Sequence, residues 1–355
     1  MYILYILTAL LALSFLIFFH ELGHFLAARF FGVHVEVFSI GFGKKVYKKV
    51  IGKTEYCLAM IPLGGYVQMK GQDDTDPTKV SNDADSYNTK RPWQRIIILF
   101  AGPFANFLLA FLLYIAIANI GVTRLAPIIG NVTVESVAQN IGLQKNDTIL
   151  EINGEKVQTW DDLSKLIKQS EGPLLITIQR EKHIKTLMGT PHIEELKTTF
   201  GEPVKKRILG ISPIGKTLVI NFSPIQSIGF AYDETLKATT LILQSLQKLI
   251  EGVIPAKDLG GIVSIVQVTA QASEAGIVAL FALTALISVN LGVLNLLPIP
   301  ALDGGHIMFN LYEMITKRAP SEKILYRMTV IGWIFLLTLM AFTIFNDIYR
   351  IFGGN

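Results

Sequence analysis

The sequence predicts a polytopic α-helical membrane protein with four transmembrane helices and one water-soluble domain between the second and the third. Composition is the first support: of the 355 residues, 51% are hydrophobic and only 17% are charged, a balance that does not suit an ordinary soluble domain. Distribution is the second. The hydrophobic residues are concentrated in four long blocks with almost no charge, at 2–31, 96–121, 276–297 and 328–345.

Each block is long enough to cross a hydrocarbon core of roughly 30 Å at about 1.5 Å per helical residue. The first block has no basic residue before it and no small-residue cleavage site after it, so we expect a retained helix rather than a cleaved signal peptide. The stretch from 122 to 275 is mixed, charged and interrupted by Gly and Pro. It therefore reads as the water-soluble part.

The distribution of positive charge predicts the orientation. Lys and Arg are concentrated between the first and second helices and between the third and fourth, and none precedes the first helix. The positive-inside rule then places both basic loops in the cytoplasm, and the termini and the inserted domain on the opposite side. These basic residues are Arg29, Lys44, Lys45, Lys48, Lys49, Lys53, Lys70, Lys79, Lys90, Arg91 and Arg95, then Lys317, Arg318, Lys323 and Arg327.

Two smaller features have plain readings. Cys57 is the single cysteine, so no internal disulfide can form. The acidic cluster Asp73, Asp74 and Asp76 predicts a solvated loop, because it lacks the Gly and Glu of a calcium-binding hand.

The first hydrophobic block contains the pattern H-E-x-x-H, as HELGH at 20–24. His20 and His24 are four residues apart and so share one helix face, where two neutral imidazoles can bind one zinc ion. Glu21 lies where it can act as a base on water that the ion activates. The alternative is a polar knot that joins helices, but an ionisable residue costs roughly 2.5–3.5 kcal/mol in hydrocarbon, which favours a functional site.

A catalytic zinc site needs a third protein ligand, and the stretch NLLPIPALDGGH at 295–306 offers one. Pro298 and Pro300 must break the preceding helix, and Asp303 follows before a flexible Gly-Gly pair. Asp303 is the predicted ligand. Two alternatives stay open: Asp303 is only the N-cap of the next helix, or His306 is the ligand instead.

Depth in the membrane is consistent with this pairing. His20 lies about 17 residues, or about 25 Å, into the first helix. Asn295 lies about 19 residues into the third helix, which enters from the same side, and Asp303 follows the proline break. Both segments therefore reach a similar level, toward the cytoplasmic face.

These motifs, with PLGGYV at 62–67 and FAGPFAN at 100–106, resemble the site-2 protease family of intramembrane zinc metalloproteases, particularly the bacterial regulator-of-sigma-E type. The resemblance implies one zinc ion bound by His20, His24 and Asp303, with Glu21 as the catalytic base. It implies that Asn295 contacts substrate or the oxyanion, with Asn290 as a weaker candidate. Asn106 is a further candidate that faces the site or a neighbouring helix.

The resemblance also implies a membrane-associated β-hairpin within the loop region of about 36–92. Alternating apolar residues around a Gly-Gly pair fit a strand pair there. Its exposed edge would capture an unwound substrate by strand addition, with Gly64, Gly65 and Tyr66 as substrate-binding candidates. The alternative is a loop that only packs under the helices.

The inserted part resembles one PDZ domain, predicted at 124–214, in which Asp161 and Asp162 begin a helix that ends near Gln169. Residue Asn146 stands where such domains often have Gly, and it tolerates a left-handed backbone. An amphipathic connector is predicted at 215–275. The transmembrane pairs then occupy 1–121 and 276–355.

The sequence thus predicts a zinc-dependent intramembrane endopeptidase of a bacterial cytoplasmic membrane. By resemblance, its partners are the lipid bilayer and single-span substrates such as anti-sigma factors and remnant signal peptides; we expect no nucleic-acid partner. Rival readings are a zinc transporter, which needs no base at Glu21, and a catalytically silent receptor for membrane peptides, which needs none either.

Overall fold

The structure is a computed structural model that describes residues 2–72, 81–198 and 200–352. The predicted acidic loop at Asp73, Asp74 and Asp76 lies outside the described residues. The chain divides into two compact units, one formed by Met1–Ile117 with Pro224–Asn355 and the other by Ala118–Ser223.

The described residues form nine α-helices and twelve strands. The helices are α1 (Tyr2–Phe30), α2 (Pro92–Ile120), α3 (Val137–Asn140), α4 (Trp160–Gln169), α5 (Pro224–Ile250), α6 (Ile262–Ala275), α7 (Ile277–Asn295), α8 (Asp303–Thr316) and α9 (Glu322–Phe352). The strands are β1 (Val35–Ile51), β2 (Thr54–Met69), β3 (Val122–Leu125), β4 (Ile129–Val132), β5 (Thr148–Ile152), β6 (Glu155–Lys156), β7 (Leu174–Arg180), β8 (His183–Gly189), β9 (His192–Lys197), β10 (Pro203–Ile208), β11 (Ile211–Pro213) and β12 (Thr217–Ile220).

Four helices of the described chain are long and apolar enough to cross a membrane. They are α1 from Leu4, α2, α7 and α9, and they coincide with the four predicted blocks. The fold is therefore that of a polytopic membrane protein, although it mixes helix with a substantial amount of sheet.

Strands β1 and β2 form an antiparallel pair that is more complex than the predicted hairpin. Ser39 pairs with both Tyr66 and Cys57, and Cys57 pairs in turn with Lys48. Both strands therefore bend back, and the register gives four strand segments in the order 65–69, 35–40, 54–59 and 45–51. Gly41 and Gly43 have φ values of 91° and 87°, the left-handed region that lets β1 reverse direction.

This sheet packs against the second half of α1 through aromatic side chains. Phe38 contacts Phe18 and Phe25 with ring centroids 5.8 Å and 5.3 Å apart, in edge-on geometries that aromatic pairs favour. Val35 and Val67 are buried in the same cluster. The edge segment 65–69 is thereby held close to the helix that carries the two histidines.

The unit Ala118–Ser223 has a hydrophobic core of its own. Strands β6, β5, β7 and β8 form a four-stranded antiparallel sheet, and Leu163 and Ile167 of α4 are buried in the core beside it. The helix predicted from Asp161 and Asp162 to about Gln169 is α4, which begins after Thr159 in a capping box with Asp162. Asn146 has the left-handed φ of 72°.

The region predicted as a connector contains two helices, α5 and α6. The start of α6 is fixed by Asp347 of α9, whose carboxylate accepts hydrogen bonds from the backbone N–H groups of Gly261, Val263 and Ser264. A carboxylate at this end matches the positive end of the helix dipole.

Candidate metal centre and active site

Three side chains from two distant segments form a compact cluster: His20 and His24 of α1 and Asp303 at the start of α8. The two Nε2 atoms are 3.2 Å apart. Asp303 Oδ2 lies 3.2 Å from Nε2 of His20 and 3.4 Å from Nε2 of His24. The three ligand atoms thus form a nearly equilateral triangle.

This triangle has the size of one face of a zinc tetrahedron. Ligands at about 2.0–2.2 Å from a tetrahedral zinc ion are separated by about 3.3–3.6 Å. Two imidazole nitrogens and one carboxylate oxygen are a donor set that zinc uses in catalytic sites, with the fourth position left open. Among the described residues, His306 is not part of this triangle although it lies one helical turn after Asp303.

Asp303 is not an N-cap, which corrects one alternative reading. Leu302 occupies the N-cap position, and Asp303 is the first residue of α8. Its Oδ2 atom is buried and accepts no hydrogen bond from the residues that the structure describes. Because an unsatisfied buried carboxylate oxygen is costly, its position between two imidazoles fits a cation ligand.

Glycines bring the backbone segments of the site close together. A Cβ on Gly102 of α2 would lie 2.2 Å from His24 Nε2, and a Cβ on Gly23 would lie 2.1 Å from the carbonyl oxygen of Ala101. Beside Asp303, a Cβ on Gly304 or Gly305 would lie 2.3 Å from a carbonyl oxygen of the 297–299 turn. Larger residues at these positions would push α1 away from α2, and the start of α8 away from the turn that precedes it.

A cleft of about 450 Å³ opens onto the cluster. Glu21 lines it on one side and Asn295, the last residue of α7, lines it on another. The strand segment from Gly65 to Met69 forms a further wall, and His306 and Trp333 also line the cleft. The structure thus brings most of the site residues expected from the sequence into one space.

Gly64 and Gly65 allow the strand to approach the helix. Gly64 has a φ of 136°, and a Cβ there would overlap the ring of Phe42, which stacks on Tyr66 at 6.2 Å. A Cβ on Gly65 would lie 3.3 Å from the Glu21 side chain. The segment therefore runs directly beside the candidate base.

Asn106 differs from the other expected site residues because it is fully buried. Its carboxamide lies 3.1 Å from Nδ1 of His20, behind the imidazole rather than in the cleft. The Ser288 hydroxyl of α7 donates a hydrogen bond to its backbone oxygen at 2.8 Å.

The sequence reasoning missed two contacts that hold the site. The backbone oxygen of Ile98 lies 2.9 Å from Nδ1 of His24. Arg95 forms a 2.7 Å ion pair with Glu313 of α8 across 218 positions of sequence. The available signal was spacing, because Arg95, Ile98, Gly102 and Asn106 recur at the three- and four-residue intervals of one helix face.

Comparisons with known proteins identify the family of the chain. The profile of "Peptidase family M50" matches residues 8–339. A protein of Campylobacter jejuni that is named as a candidate zinc metalloprotease is 51% identical over 98% of this chain and 94% of its own length. Similarly named proteins are 39% identical in Helicobacter pylori strain J99, over 97% of this chain and 99% of that one, and 34% identical in Clostridium perfringens, over 97% and 98%.

The family profile covers most of α1 and all of α8, including His20, His24 and Asp303, and the relatives cover nearly the whole chain. Their names support a zinc metalloprotease. The chain therefore belongs to peptidase family M50.

Proposed function

We propose that this protein is a zinc-dependent intramembrane endopeptidase that cleaves transmembrane segments of single-span membrane proteins. The observation that carries the proposal is the shared cleft, in which Glu21, the ligand cluster and the strand segment 65–69 face the same space. A metal site, a base and a strand edge are the elements that hydrolysis of an extended peptide requires.

The ligands and the base would divide the chemistry between them. His20, His24 and Asp303 would bind zinc, which when bound supplies a Lewis acid and lowers the pKa of water to about 7. The Glu21 carboxylate accepts the proton of the attacking water and later donates it to the leaving amine. Since Glu21 and the histidines belong to the same two turns of α1, the base and the ligands keep a fixed separation.

Substrate capture is assigned to the edge of the sheet. A helical substrate satisfies its own peptide groups, so it must unwind before Glu21 can act on a peptide bond. Segment 65–69 pairs with 35–40 along one edge, and its other edge is unpaired in the described part of the chain. An unwound substrate would add there as a strand beside Gly65 and Tyr66, after the turn at Gly64, while Asn295 would contact the scissile carbonyl.

We further propose that the unit Ala118–Ser223 is a PDZ-like domain on the extracytoplasmic side. Its sheet with a packed helix supports the assignment. The active site would lie toward the cytoplasmic face of a bacterial inner membrane, following the positive-inside rule. Anti-sigma factors already trimmed outside the membrane, and remnant signal peptides, are the proposed substrates, because their bulky domains are gone.

The test is cleavage of a single-span model substrate by the purified protein in liposomes. Glu21→Gln removes the base and keeps the shape, and we expect cleavage to fall about 10²- to 10⁴-fold while zinc remains bound. Glu155→Gln makes the same change at an exposed position and is the matched control. Undiminished cleavage by Glu21→Gln would contradict the assignment of Glu21 as the base. If the natural protein and both variants bound zinc but none cleaved the substrate, a transporter or a receptor would be favoured.

A further inference from the structure

The two imidazoles of the cluster are supported from behind by the same face of α2. His24 Nδ1 lies 2.9 Å from the backbone oxygen of Ile98, and His20 Nδ1 lies 3.1 Å from the carboxamide of Asn106. The Nε2 atoms lie 3.2 Å (His20) and 3.4 Å (His24) from Asp303 Oδ2. The Nδ1 contacts therefore decide which nitrogen of each ring carries the proton.

The contact of His24 permits one tautomer only. A backbone carbonyl can accept a hydrogen bond but cannot donate one, so Nδ1 of His24 must carry the proton. Its Nε2 atom is then left with a lone pair directed at the centre of the cluster. This is the tautomer that a metal-binding imidazole requires.

The contact of His20 depends on which end of the amide faces the ring. As placed in the structure, the amide end that faces the ring is Nδ2, 3.1 Å from Nδ1 of His20. With Nδ2 as donor, the ring would carry its proton on Nε2, where the proton would point at the other two ligand atoms. In this orientation the buried Oδ1 atom of Asn106 has no hydrogen-bond partner among the described residues. The two ends of a carboxamide have the same shape, and their assignment follows from the hydrogen-bond network. Exchanging them lets Oδ1 accept from Nδ1–H and frees Nε2.

We propose that Asn106 is a positioning residue that accepts the Nδ1–H of His20 and fixes the tautomer whose Nε2 binds the metal. The proposal rests on the zinc site proposed above. Asn106 is suited to the task because it is fully buried and because Ser288 anchors its backbone oxygen. The role differs from the substrate contact that the sequence suggested, since the imidazole lies between Asn106 and the other ligands.

Two substitutions separate this role from a structural one. Asn106→Asp keeps an acceptor of the same shape, and Asn106→Leu keeps the size but removes it. We expect Asn106→Leu to weaken zinc binding about 10- to 100-fold, the usual cost of losing such an outer partner. Asn106→Asp should bind zinc at least as tightly as the natural protein. Zinc affinity is measured by competition with a chelator, and the visible spectrum of the Co²⁺-substituted protein reports the ligand geometry.

Equal zinc affinity in Asn106→Leu and the natural protein would overturn the proposal. Equal losses in both variants would also overturn it, because they would mean that the amide donor matters and not the acceptor.

A second measurement does not depend on bound metal or on activity. The ¹⁵N spectrum of histidine-labelled, metal-free protein, at a pH where the rings are neutral, distinguishes protonated from unprotonated ring nitrogens. The His20 signals are identified by their loss in His20→Gln. We expect Nδ1 to carry the proton in the natural protein and the population to become mixed in Asn106→Leu. A proton on Nε2 in the natural protein would overturn the proposal whether or not the chain is a protease.

Discussion

Asp147, in the unit Ala118–Ser223, and Asp303, at the start of α8, are both carboxylates withdrawn from water, but their surroundings differ. Asp147 is 0% exposed and receives Arg180 in a two-pronged contact, with Nε to Oδ1 at 2.7 Å and a second guanidinium nitrogen to Oδ2 at 2.8 Å. The backbone N–H of Gln144 also donates to Oδ2. Asp303 faces two imidazoles, and within the described part of the chain its Oδ2 accepts no hydrogen bond.

The partners of a buried carboxylate distinguish a structural role from a ligand-binding role. The Asp147 pair is complete within the protein, and its hydrogen bond to the carboxylate raises the pKa of Arg180. Such a pair holds a fold together. Among the described residues, the charge of Asp303 has no such partner, because the ligand atoms of His20, His24 and Asp303 are placed to bind a cation rather than one another. A buried carboxylate whose hydrogen bonds are satisfied indicates a structural role, and one with an unsatisfied oxygen indicates a bound ligand.

The largest expected effect comes from removing each aspartate and comparing stability with and without a chelator. Asp147→Ala removes the partner of Arg180, whose side chain is 23% exposed, and should cost about 1.5–3 kcal/mol of unfolding free energy for each charge-assisted hydrogen bond lost, equally in zinc and in chelator. In the natural protein, zinc at 1,000 times its Kd should add about 4 kcal/mol, and Asp303→Ala should lose this increment. Thermal and denaturant unfolding in detergent measures both.

If chelator changed the stability of the natural protein and of Asp303→Ala by the same amount, Asp303 would not be a zinc ligand. If the loss of stability in Asp147→Ala depended on chelator, the structural role of Asp147 would be contradicted.

A smaller effect is expected from the ion pair that joins α8 to α2. Arg95→Ala removes a charge-assisted hydrogen bond to Glu313, of about 1.5–3 kcal/mol, and loosens the helix that carries Asp303. We expect zinc affinity and cleavage to fall about tenfold. The exchanged pair Arg95→Glu with Glu313→Arg should recover most of the loss. If the exchange recovered nothing, the pair would not be what positions Asp303.

The smallest effect is expected where charges are exposed. Hydrogen bonds from Lys70 lower the pKa of Asp83 and of Asp85, and the bond to Asp83 is the main cause that raises the pKa of Lys70 to about 12. Their contribution is present above the ordinary carboxyl pKa of 3.8 and is lost as pH falls through the lowered values, or as it rises through that of Lys70. The stability difference between the natural protein and Lys70→Met should be small and flat from about pH 5 to pH 10, and should shrink in acid. A difference that grew in acid would contradict this.

Local patterns in the sequence carried the prediction of the four membrane helices and of the pairing of α1 with the LDGG segment. Long hydrophobic blocks predict membrane-spanning helices, and the interval of four residues in HELGH places two imidazoles on one face of α1. The break at Pro298 and Pro300 marks where the chain leaves its helix, which brings Asp303 to the cluster. Each of these features is encoded within a few neighbouring residues.

Contacts between distant segments could not be predicted in the same way. The four-segment sheet depends on the positive φ values of Gly41 and Gly43 and on pairing between strands that alternation alone does not register. The contact of Ile98 with His24 is made by a backbone carbonyl, which every residue has, so the residue type at position 98 does not predict it. Asn106 could be picked out from its motif, but whether it faces the cleft or the back of His20 depends on how α2 is rotated.

The most direct test of the central claim is an equilibrium titration of the purified, metal-free protein with zinc. We expect one equivalent to bind to the natural protein and Asp303→Ala to bind at least about 100-fold more weakly, because one of three protein ligands is lost. Binding of one equivalent by Asp303→Ala with unchanged affinity would contradict the account, since the carboxylate left unsatisfied at the start of α8 would then have no metal to hold.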